Sequence, residues 1–423
     1  MKILVLNAGS SSQKSCLYDI STGLPSVPER SSQQPLWEAQ IDWSPEEGAA
    51  RLKVETDEGE RYCKTVSSPA RENTLSYLLS LLHQGSTRVI SSLQEIDVVG
   101  HRVVHGGQYY KKSVLITPEV KATIGRLSEL APNHNPANLE GIELMEQLLG
   151  DVPQIAVFDT AFHSDIPDAA AVYPGAYDWV SQGIRRYGFH GISHQYCAHR
   201  AAQMLERSLD EVRIIVCHLG NGASLSAVKN GKSIDTTMGF TPLDGLMMGT
   251  RSGAVDPGIL IHLMRQGYSA DELDTLLNTA SGLKGISGIS HDLREIDAAI
   301  AQGNQRAKLA KEIYLHRFKA CFGSMLMSLG GLDVVVFTAG VGENAAGLRA
   351  VACEGMVFLG VQIDEEKNER GSGDRDIARE DSAVRVLVIH TQEDWAIAQD
   401  CWQYMAGEWQ GRGMVVEKNN DFG

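Results

Sequence analysis

Short apolar runs that alternate with longer stretches of helical periodicity constrain the fold of this chain more than any other feature. The runs have the length of buried strands, and several end in glycine: Ile3–Leu6, Ile96–Val99, Ile155–Phe158, Ile214–Cys217, Val334–Phe337 and Val386–Ile389. The helical stretches between them are Asn138–Leu149, His194–Ser208, Pro257–Arg265 and Ala307–Leu329. Strands that alternate with helices in this way predict an α/β fold.

Length and composition predict a soluble protein of two domains. A chain of 423 residues exceeds the usual size of a single hydrophobic core. Its apolar content of 43% and charged content of 22% are ordinary, and no segment approaches the roughly 18 unbroken apolar residues of a membrane helix. The apolar start, Ile3–Leu6, is too short for a signal peptide, so we expect the mature chain to begin at Met1 or Lys2.

The net charge limits the binding partners expected of this chain, and the cysteines indicate its cellular compartment. A formal net charge of −15 disfavours binding to nucleic acid or to an anionic membrane, although a local basic cleft can still bind a small anion. The seven cysteines are odd in number and include no CxxC pair, which argues against a disulfide framework. We therefore expect a cytoplasmic protein.

A repeated pattern points to an internal duplication. Ile3–Ser12 resembles Ile214–Ser224, because each segment is a strand followed by a polar hinge, a glycine and a hydroxyl residue. A second pair of apolar runs, Ile96–Gly100 and Leu332–Val336, follows further along each half. Tandem domains of similar structure and chance similarity between glycine-ended strands both explain this pattern.

Three polar segments are predicted to be surface loops or turns. Ser21–Gln40 contains three prolines and several serines, and Asp364–Asp381 is charged and contains glycine. Both compositions are typical of solvated peripheral loops or edge hairpins. Asn230–Ser233 resembles the end of a P-loop, but Ser226 stands where that motif requires glycine. It therefore predicts a plain hairpin turn.

Two glycine-containing turns have the composition of anion-binding sites. Asn7–Lys14 and Gly220–Ser224 combine glycine with small hydroxyl residues, so backbone N–H groups are exposed beside O–H donors. Lys14 adds a positive charge to the first turn. Polar residues in a tight β-hairpin are the structural alternative for each turn. The occurrence of two such turns in one chain favours a bound polyphosphate.

Two arginines stand among glycines, which leaves their guanidinium groups accessible to an anion. Arg102 lies in Gly100–Gly107, and Arg251 lies in Met248–Gly253. The planar guanidinium group suits carboxylate or phosphate oxygens, although a structural salt bridge explains either arginine taken alone. The histidines at positions 190–199 do not predict zinc, because an HExxH motif and paired cysteines are both absent from the sequence.

Ten segments in order resemble the acetate/propionate kinase family, part of a larger group that contains sugar kinases, actin and heat-shock chaperone ATPases. The matching segments are NAGSSSQK at 7–14, GHRVVHGG at 100–107, HNPANL at 134–139, FDTAFH at 158–163, RRYGFHGISH at 185–194, HLGNGAS at 218–224, MGTRSG at 248–253, SGISHDLR at 287–294, FTAGVGEN at 337–344 and TQED at 391–394. Ten motifs in one order over nearly the whole chain form a specific match.

The resemblance implies a fold and a reaction. It implies two duplicated ribonuclease-H-like domains of the actin-like ATPase type, 1–159 with about 396–423 and 160–395, with an active-site cleft between them. The implied reaction is reversible phosphoryl transfer from ATP to acetate, with Mg²⁺, or Mn²⁺ in its place, as the metal. The implied assembly is a homodimer. Propionate is the alternative substrate, and an ATP-driven conformational module without a carboxylate site is the alternative class of protein.

The resemblance also assigns roles to individual residues. The implied catalytic residues are Asp159, His190, Arg251, Arg102 and His134, and the acyl pocket contains Arg102, Val104, Phe189 and Pro242. The implied nucleotide-binding residues are Ser10, Ser12, Lys14, His218, Leu219, Gly220, Asn221, Gly222, Asp292, Leu293, Arg294, Gly340, Val341, Gly342, Glu343 and Asn344. The implied metal ligands are Asn7 and Glu393.

Two positions depart from the family pattern. Asn133 stands where the family usually has leucine, which makes one wall of the predicted acyl pocket more polar. The metal segment, usually TNEE, is TQED here, so Asp394 shortens the second carboxylate.

The implied substrates, acetate and propionate, are carboxylic acids with pKa values of roughly 4 to 5. They are ionised at pH 7, so their phosphorylation needs no general base. We therefore predict that Asp159 holds the metal or its waters, and does not act as an acid or base.

Overall fold

The computed structural model describes residues 1–9, 12–20, 34–43, 48–67, 70–132 and 134–407. These residues fall within two compact units, a first unit of Met1–Phe158 with Glu393–Gly423 and a second unit of Asp159–Gln392. The limits of the two ribonuclease-H-like domains stay a prediction. Over the described ranges, no helix combines the length and the apolar character needed to cross a bilayer.

An eight-stranded sheet organises the first unit. Its strands are β1 (Lys2–Ala8), β2 (Ser12–Asp19), β3 (Trp37–Asp42), β4 (Ala49–Thr56), β5 (Arg61–Ser67), β6 (Val98–Val103), β7 (Val114–Leu115) and β8 (Gln154–Phe158). They lie in the order β5-β4-β3-β2-β1-β6-β8-β7. Strands β1 to β5 pair antiparallel, β6 is parallel to both β1 and β8, and β7 is antiparallel to β8.

The described residues of the first unit also form four α-helices and two 3-10 turns. The helices are α1 (Arg71–Ser80), α2 (Pro118–Arg126), α3 (Asn135–Leu149) and α15 (Glu393–Met405), and the turns are Leu93–Glu95 and Leu127–Glu129. Apolar residues of α1 and α3, such as Leu78 and Met145, pack with Trp37 and Leu52 of the sheet in one buried cluster. Its members from β3 and β4 alternate along each strand, so the cluster lies on one face of the sheet.

A six-stranded sheet organises the second unit. Its strands are β9 (Ile214–Leu219), β10 (Ala223–Lys229), β11 (Lys232–Thr236), β12 (Val334–Thr338), β13 (Arg375–Asp376) and β14 (Arg385–Val388). They lie in the order β11-β10-β9-β12-β14-β13. Strands β11, β10 and β9 pair antiparallel, β12 is parallel to both β9 and β14, and β13 is antiparallel to β14.

The helices of the second unit are α4 (Asp168–Ala171), α5 (Asp178–Ser181), α6 (Gly191–Met204), α7 (Pro257–Arg265), α8 (Ala270–Thr279), α9 (Gly282–Ser287), α10 (Leu293–Ala301), α11 (Gln305–Leu329), α12 (Ala339–Asn344), α13 (Ala346–Glu354) and α14 (Glu365–Glu369). Its 3-10 turns are Ala161–His163, Leu209–Glu211 and Val357–Leu359. Small residues of α6, such as Ala198 and Ala201, pack on Val216 and Val336 of the sheet. At the start of α6, hydrogen bonds between Ser193 and His218 and between His194 and Ser224 place the helix beside β9 and β10.

The two sheets repeat one strand order. The segment β3-β2-β1-β6-β8 of the first sheet has the same order and the same strand directions as β11-β10-β9-β12-β14 of the second. This repetition confirms the predicted α/β class and the predicted duplication, and it removes chance similarity as the explanation of the sequence pattern. The predicted hairpin at Asn230–Ser233 is also confirmed, because Asn230 and Gly231 join β10 to β11 with φ values of 52° and 73°.

The two predicted loop segments have different outcomes. Residues 21–33 lie outside the described residues, but Trp37–Gln40 belongs to β3, which pairs with β2 and β4 inside the sheet. The loop prediction is therefore wrong for this part, because its alternation of buried and exposed residues outweighs the nearby prolines. In Asp364–Asp381, the edge strand β13 confirms the predicted sheet edge, whereas Ile377 and Ala378 are buried.

Asp400 of α15 carries a carboxyl group that protein atoms surround, although the residue as a whole is half-buried. Burial raises the pKa of Asp400 to about 6, and the hydrogen bond that Ser113 Oγ donates at 2.5 Å offsets only part of this effect. The carboxyl group of an unfolded chain has a pKa of about 3.9. Between these two values the folded state binds more protons, so ionisation of Asp400 lowers the stability as the pH rises.

Because asparagine cannot ionise, Asp400→Asn should not lose this stability as the pH rises. We expect the free energy of unfolding of Asp400→Asn, measured relative to the wild type, to be about 1 to 2 kcal/mol higher at pH 8 than at pH 4.5. Thermal unfolding of both proteins at the two pH values measures this difference. The exposed Asp151→Asn serves as the control and should show no such dependence. A gap between Asp400→Asn and the wild type that is equal at both pH values contradicts the expectation.

Candidate active site

Five polar side chains of the first unit form a connected cluster. Asn7 Nδ2 donates to Glu393 Oε2 at 3.2 Å and to Asp394 Oδ1 at 3.0 Å. Asn7 Oδ1 accepts a hydrogen bond from Arg102 Nη1 at 3.1 Å. Lys14, which faces Asn7 across β1 and β2, places Nζ 2.9 Å from Asp394 Oδ2. The structure thus brings together the predicted metal ligands, a predicted phosphate-binding lysine and a predicted catalytic arginine, with Asp394 as an additional member.

The charges in this cluster are partly balanced. Burial alone lowers the pKa of Lys14, but neighbouring negative charges, Asp394 foremost, raise it above its ordinary value, so the lysine remains protonated. The carboxylate of Asp394 is therefore neutralised by Lys14. Glu393 and Asn7 carry carboxylate and amide oxygens, which are the ligands that Mg²⁺ and Mn²⁺ prefer.

The cluster fits a divalent cation that is shared with a phosphate. Among the described residues, no three His, Cys, Asp or Glu side chains are grouped as ligands of one metal ion. Mg²⁺ commonly uses one or two carboxylates together with the phosphate oxygens of its substrate, and it keeps several waters. The donor set of Asn7 and Glu393 suits this mode of binding.

Two asparagines of α3 hold the segment that follows β6. Asn138 Oδ1 accepts the N–H of Val104 at 3.2 Å, and Asn135 Oδ1 accepts the N–H of His105 at 3.1 Å. Val104 itself is buried, and His134 lies immediately before α3. Sequence reasoning missed both asparagines, although their spacing of three residues places them on one face of a helix.

Three predicted positions of the first unit have simpler outcomes. Ser12 begins β2. Ser10, predicted to bind nucleotide, lies outside the described residues, as does Asn133, which was expected to alter the acyl pocket. The effect of Asn133 on the acyl pocket stays a prediction.

In the second unit, the turn between β9 and β10 brings His190 and Arg251 together. The Gly220 N–H donates to Gly222 O at 3.0 Å, which closes the turn. The imidazole of His190 stacks on that of His218, with ring centroids 4.1 Å apart and planes inclined by 14°. A Cβ atom at Gly222 would lie 3.3 Å from His190 Nε2 and 3.6 Å from Arg251 Nη1. Only a residue without a side chain leaves this space open.

The position of His190 depends on a close backbone contact. His190 precedes α6 in the left-handed conformation, with φ of 55°. The next residue, Gly191, donates its N–H to Asp159 O at 2.8 Å. A Cβ atom at Gly191 would lie 2.2 Å from that oxygen, so a side chain there is excluded. The predicted catalytic residues Asp159 and His190 are therefore held in adjacent positions, and Asp159 is buried.

Arg251 lies at the edge of the same turn. Its Nη1 donates to Pro242 O at 3.3 Å, which joins it to a residue predicted for the acyl pocket. Burial lowers the pKa of the Arg251 guanidinium, but arginine titrates so far above neutrality that the group keeps its charge. A half-buried cation beside a glycine turn is a favourable site for an anion.

Three of the residues predicted near the nucleoside, Asp292, Leu293 and Arg294, lie at the start of α10. Asp292 caps α10 by accepting the N–H of Arg294 at 2.8 Å, and the side chain of Arg294 donates back to Asp292 at 2.5 Å. These hydrogen bonds from Arg294 lower the pKa of Asp292. The side chain of Arg294 is 89% exposed, whereas Leu293 is buried. The exposed guanidinium and the buried leucine give this segment one polar and one apolar side.

A buried arginine that sequence reasoning missed holds α12, the helix that contains the predicted residues 340–344. Arg349, only 1% exposed, donates from Nη1 to Gly342 O and to Glu343 O, both at 2.8 Å. Its Nε and Nη2 donate to the side-chain and main-chain oxygens of Asn368 at 2.8 and 2.7 Å. Asn344 Nδ2 also donates to Gly340 O at 2.8 Å. These hydrogen bonds fix the main chain over the whole segment.

The chain is similar over almost its whole length to known proteins. A family model described as the acetokinase family matches residues 2–399. The acetate kinase of Acaryochloris marina is 65% identical over 95% of this chain and 99% of its own, and that of a Nostoc species is 62% identical over 96% and 100%. Among solved structures, the acetate kinase of Porphyromonas gingivalis is 42% identical, with a TM-score of 0.85 over 96% of this chain and 99% of its own. A propionate kinase from Francisella tularensis is 39% identical, with a TM-score of 0.84 over 94% and 98%.

We expect Arg349→Lys to lower the free energy of unfolding by roughly 2 to 4 kcal/mol, because lysine cannot reach the four oxygens that the guanidinium group satisfies. Urea unfolding followed by circular dichroism measures the change. Arg370→Lys serves as the matched control, because Arg370 follows the C-terminal end of α14 and its side chain is exposed. A urea midpoint for Arg349→Lys equal to that of the control contradicts the proposed support of α12.

Proposed function

The chain belongs to the acetokinase family, and on that premise we propose that it transfers the terminal phosphoryl group of ATP directly to acetate, in a reversible Mg²⁺-dependent reaction. The observation that carries this proposal is the similarity to acetate kinases at 56% to 65% identity over almost the whole chain. A propionate kinase of known structure is 39% identical, below the 56% to 65% of these acetate kinases. Propionate is therefore not favoured as the main substrate.

The chemical difficulty of this reaction is electrostatic. Acetate is already ionised at neutral pH, so its oxygen attacks without a general base. Two unit charges about 4 Å apart repel each other by roughly 4 kcal/mol at an effective dielectric constant of about 20. We propose that Arg102 and Arg251 bind the carboxylate and the phosphoryl group, and that His190 donates to the transition state. Phosphoryl transfer is catalysed mostly by such positioning and charge neutralisation.

The remaining site residues are proposed to hold the nucleotide and the metal. The backbone of His218–Gly222, together with Ser10, Ser12 and Lys14, is proposed to bind phosphates, and Asp292–Arg294 and Gly340–Asn344 to bind the nucleoside. Asn7 and Glu393 are proposed to hold Mg²⁺, and Asp159 to orient the metal or its waters and not to transfer a proton. When bound, the ion neutralises phosphate charge. Val104, Phe189 and Pro242 are proposed to surround the methyl group of acetate, and His134 is proposed as a further catalytic histidine.

We also propose a cytoplasmic homodimer with no nucleic-acid or membrane partner. The support for a dimer comes from α7, every residue of which is described and none of which is buried. Its Ile259, Ile261 and Met264 are 49%, 51% and 56% exposed. Three exposed apolar side chains of this size on one short helix are more often found at protein interfaces than on a free surface. Sedimentation of the full chain distinguishes a dimer from a monomer.

Trapping of acetyl phosphate with hydroxylamine tests the proposed reaction. The full chain with ATP, Mg²⁺ and acetate should give acetyl hydroxamate and an equal amount of ADP, and neither product should form rapidly without acetate. An ATP-driven conformational module would release ADP at the same rate with or without acetate. That second result contradicts the proposed function.

We expect Arg102→Ala and Arg251→Ala each to lower kcat by on the order of 10² to 10³, the usual loss when a charge donor to a transition state is removed. Steady-state kinetics with ATP and acetate varied in turn measures the effect. Arg61→Ala, on an exposed side chain of β5, is the control. If either site variant keeps near-native kcat and shows only a higher KM, the role proposed for that arginine is wrong.

We expect a modest preference for acetate over propionate, because one methylene group in an apolar pocket is worth roughly 1 to 3 kcal/mol. The ratio of kcat/KM for the two acids measures it. Val104→Ala should shift this ratio toward propionate, since it makes room beside a buried side chain. Equal kcat/KM values for both acids in the wild type would show that Val104 does not limit the pocket.

A further inference from the structure

A buried serine hydroxyl links two histidines of the second unit. Ser224 Oγ lies 2.9 Å from Nδ1 of His190 and 2.7 Å from Nε2 of His194. Ser224 and His194 are fully buried. The two histidines are four residues apart at the start of α6, and Ser224 faces His218 across β9 and β10. Because a hydroxyl group has one proton, Ser224 can donate to only one of the two imidazoles.

His194 determines the direction of this hydrogen bond. Burial, together with the neighbouring His163 and His218, lowers the pKa of His194 well below its ordinary value, so its ring is neutral and carries one N–H. Within the part of the chain that the structure describes, His194 Nδ1 has no hydrogen-bond partner. A proton on Nδ1 would therefore be a buried N–H group without an acceptor, which folded proteins avoid more strictly than an unused lone pair. The proton is better placed on Nε2, which donates to Ser224.

This position of the proton on His194 also affects the tautomer of His190. When Ser224 accepts from His194, its hydroxyl proton remains to be donated, and His190 Nδ1 lies 2.9 Å away as the acceptor for it. We infer that Ser224 and His194 are positioning residues that fix His190 as the neutral tautomer with its proton on Nε2. We call the hydrogen-bonded chain His194–Ser224–His190 the relay. Nε2 of His190 is the nitrogen that faces Gly222, so the relay presents an N–H donor, and not a lone pair, to an anion at the Gly220–Gly222 turn. This inference rests on the site proposed for His190.

Two further contacts fix the orientation of the His190 ring, so the tautomer is the one property of the ring that they leave undetermined. His218 stacks on His190, and its Nδ1 lies 2.8 Å from Ser193 Oγ. His163 Nε2 lies 3.0 Å from Phe189 O, the carbonyl immediately before His190. A carbonyl oxygen only accepts, so His163 donates there and supports the left-handed turn. The orientation of the His190 ring is thus fixed by its neighbours, while the serine determines which nitrogen carries the proton.

Nitrogen-15 NMR of the full chain without ligands reads the tautomer directly, because protonated and unprotonated imidazole nitrogens have well-separated shifts. The His190 signal is assigned by its loss in His190→Gln. We expect a protonated Nε2 and an unprotonated Nδ1 in the wild type, and a mixture of tautomers in Ser224→Ala. A wild-type His190 with its proton on Nδ1 overturns the inference, and this result needs no variant of Ser224 to fold.

Kinetics with ATP and acetate gives a second test. We expect Ser224→Ala to lower kcat by roughly 10- to 100-fold, the usual loss when a partner that orients a site residue is removed, with little change in either KM. Ser224→Thr, which keeps the hydroxyl, should recover part of kcat. His194→Gln, which keeps an N–H near the Nε2 position, should lose less kcat than His194→Leu. Wild-type kcat in a folded Ser224→Ala contradicts the relay.

The two proposals fail in different ways. If His190→Gln keeps full kcat, the role proposed for His190 in the reaction is wrong, while the NMR result still decides whether Ser224 sets its tautomer. If His190→Gln loses activity and Ser224→Ala does not, the proposed function stands and the relay is wrong.

Discussion

The candidate site of the second unit depends on the missing side chain at Gly222. The space that a Cβ atom would fill there lies within 3.6 Å of both His190 Nε2 and Arg251 Nη1. At Gly191, where a Cβ atom would lie 2.2 Å from Asp159 O, the missing side chain lets α6 begin against the main chain of Asp159. Together they bring an imidazole, a guanidinium group and a backbone turn to one point. An anion is the ligand that all three can bind.

Two arginines and two histidines of the second unit bond to uncharged partners, so the positive charge near the Gly222 turn is not cancelled. The hydrogen bonds described for Arg251 and Arg349 end on carbonyl and amide oxygens. Those described for His194 and His218 end on the hydroxyl groups of Ser224 and Ser193. Neutral partners orient a cation or an imidazole without cancelling its charge. A chain with a net charge of −15 can in this way keep a local potential that attracts phosphate.

The fold followed from the sequence more readily than the details of the site. Apolar runs such as Ile214–Cys217 and Val334–Phe337 became central strands because their burial on both faces leaves a clear pattern. Strand β3 was missed because prolines and serines precede it. The roles of Asp159 and His190 came from family resemblance and stay predictions. The sequence showed Ser224 only as a hydroxyl residue of a glycine turn, and it showed no local signal for Arg349. Their partners lie far along the chain or on the main chain of another element.

A crystal structure of the full chain with ADP, Mg²⁺, acetate and aluminium fluoride shows where the phosphoryl group binds, because the planar fluoride mimics that group in transit. We expect the planar group to lie within hydrogen-bond distance of the Arg251 guanidinium and of His190 Nε2, against the turn at Gly222. A planar group bound away from both side chains, with the turn empty, would contradict this expectation.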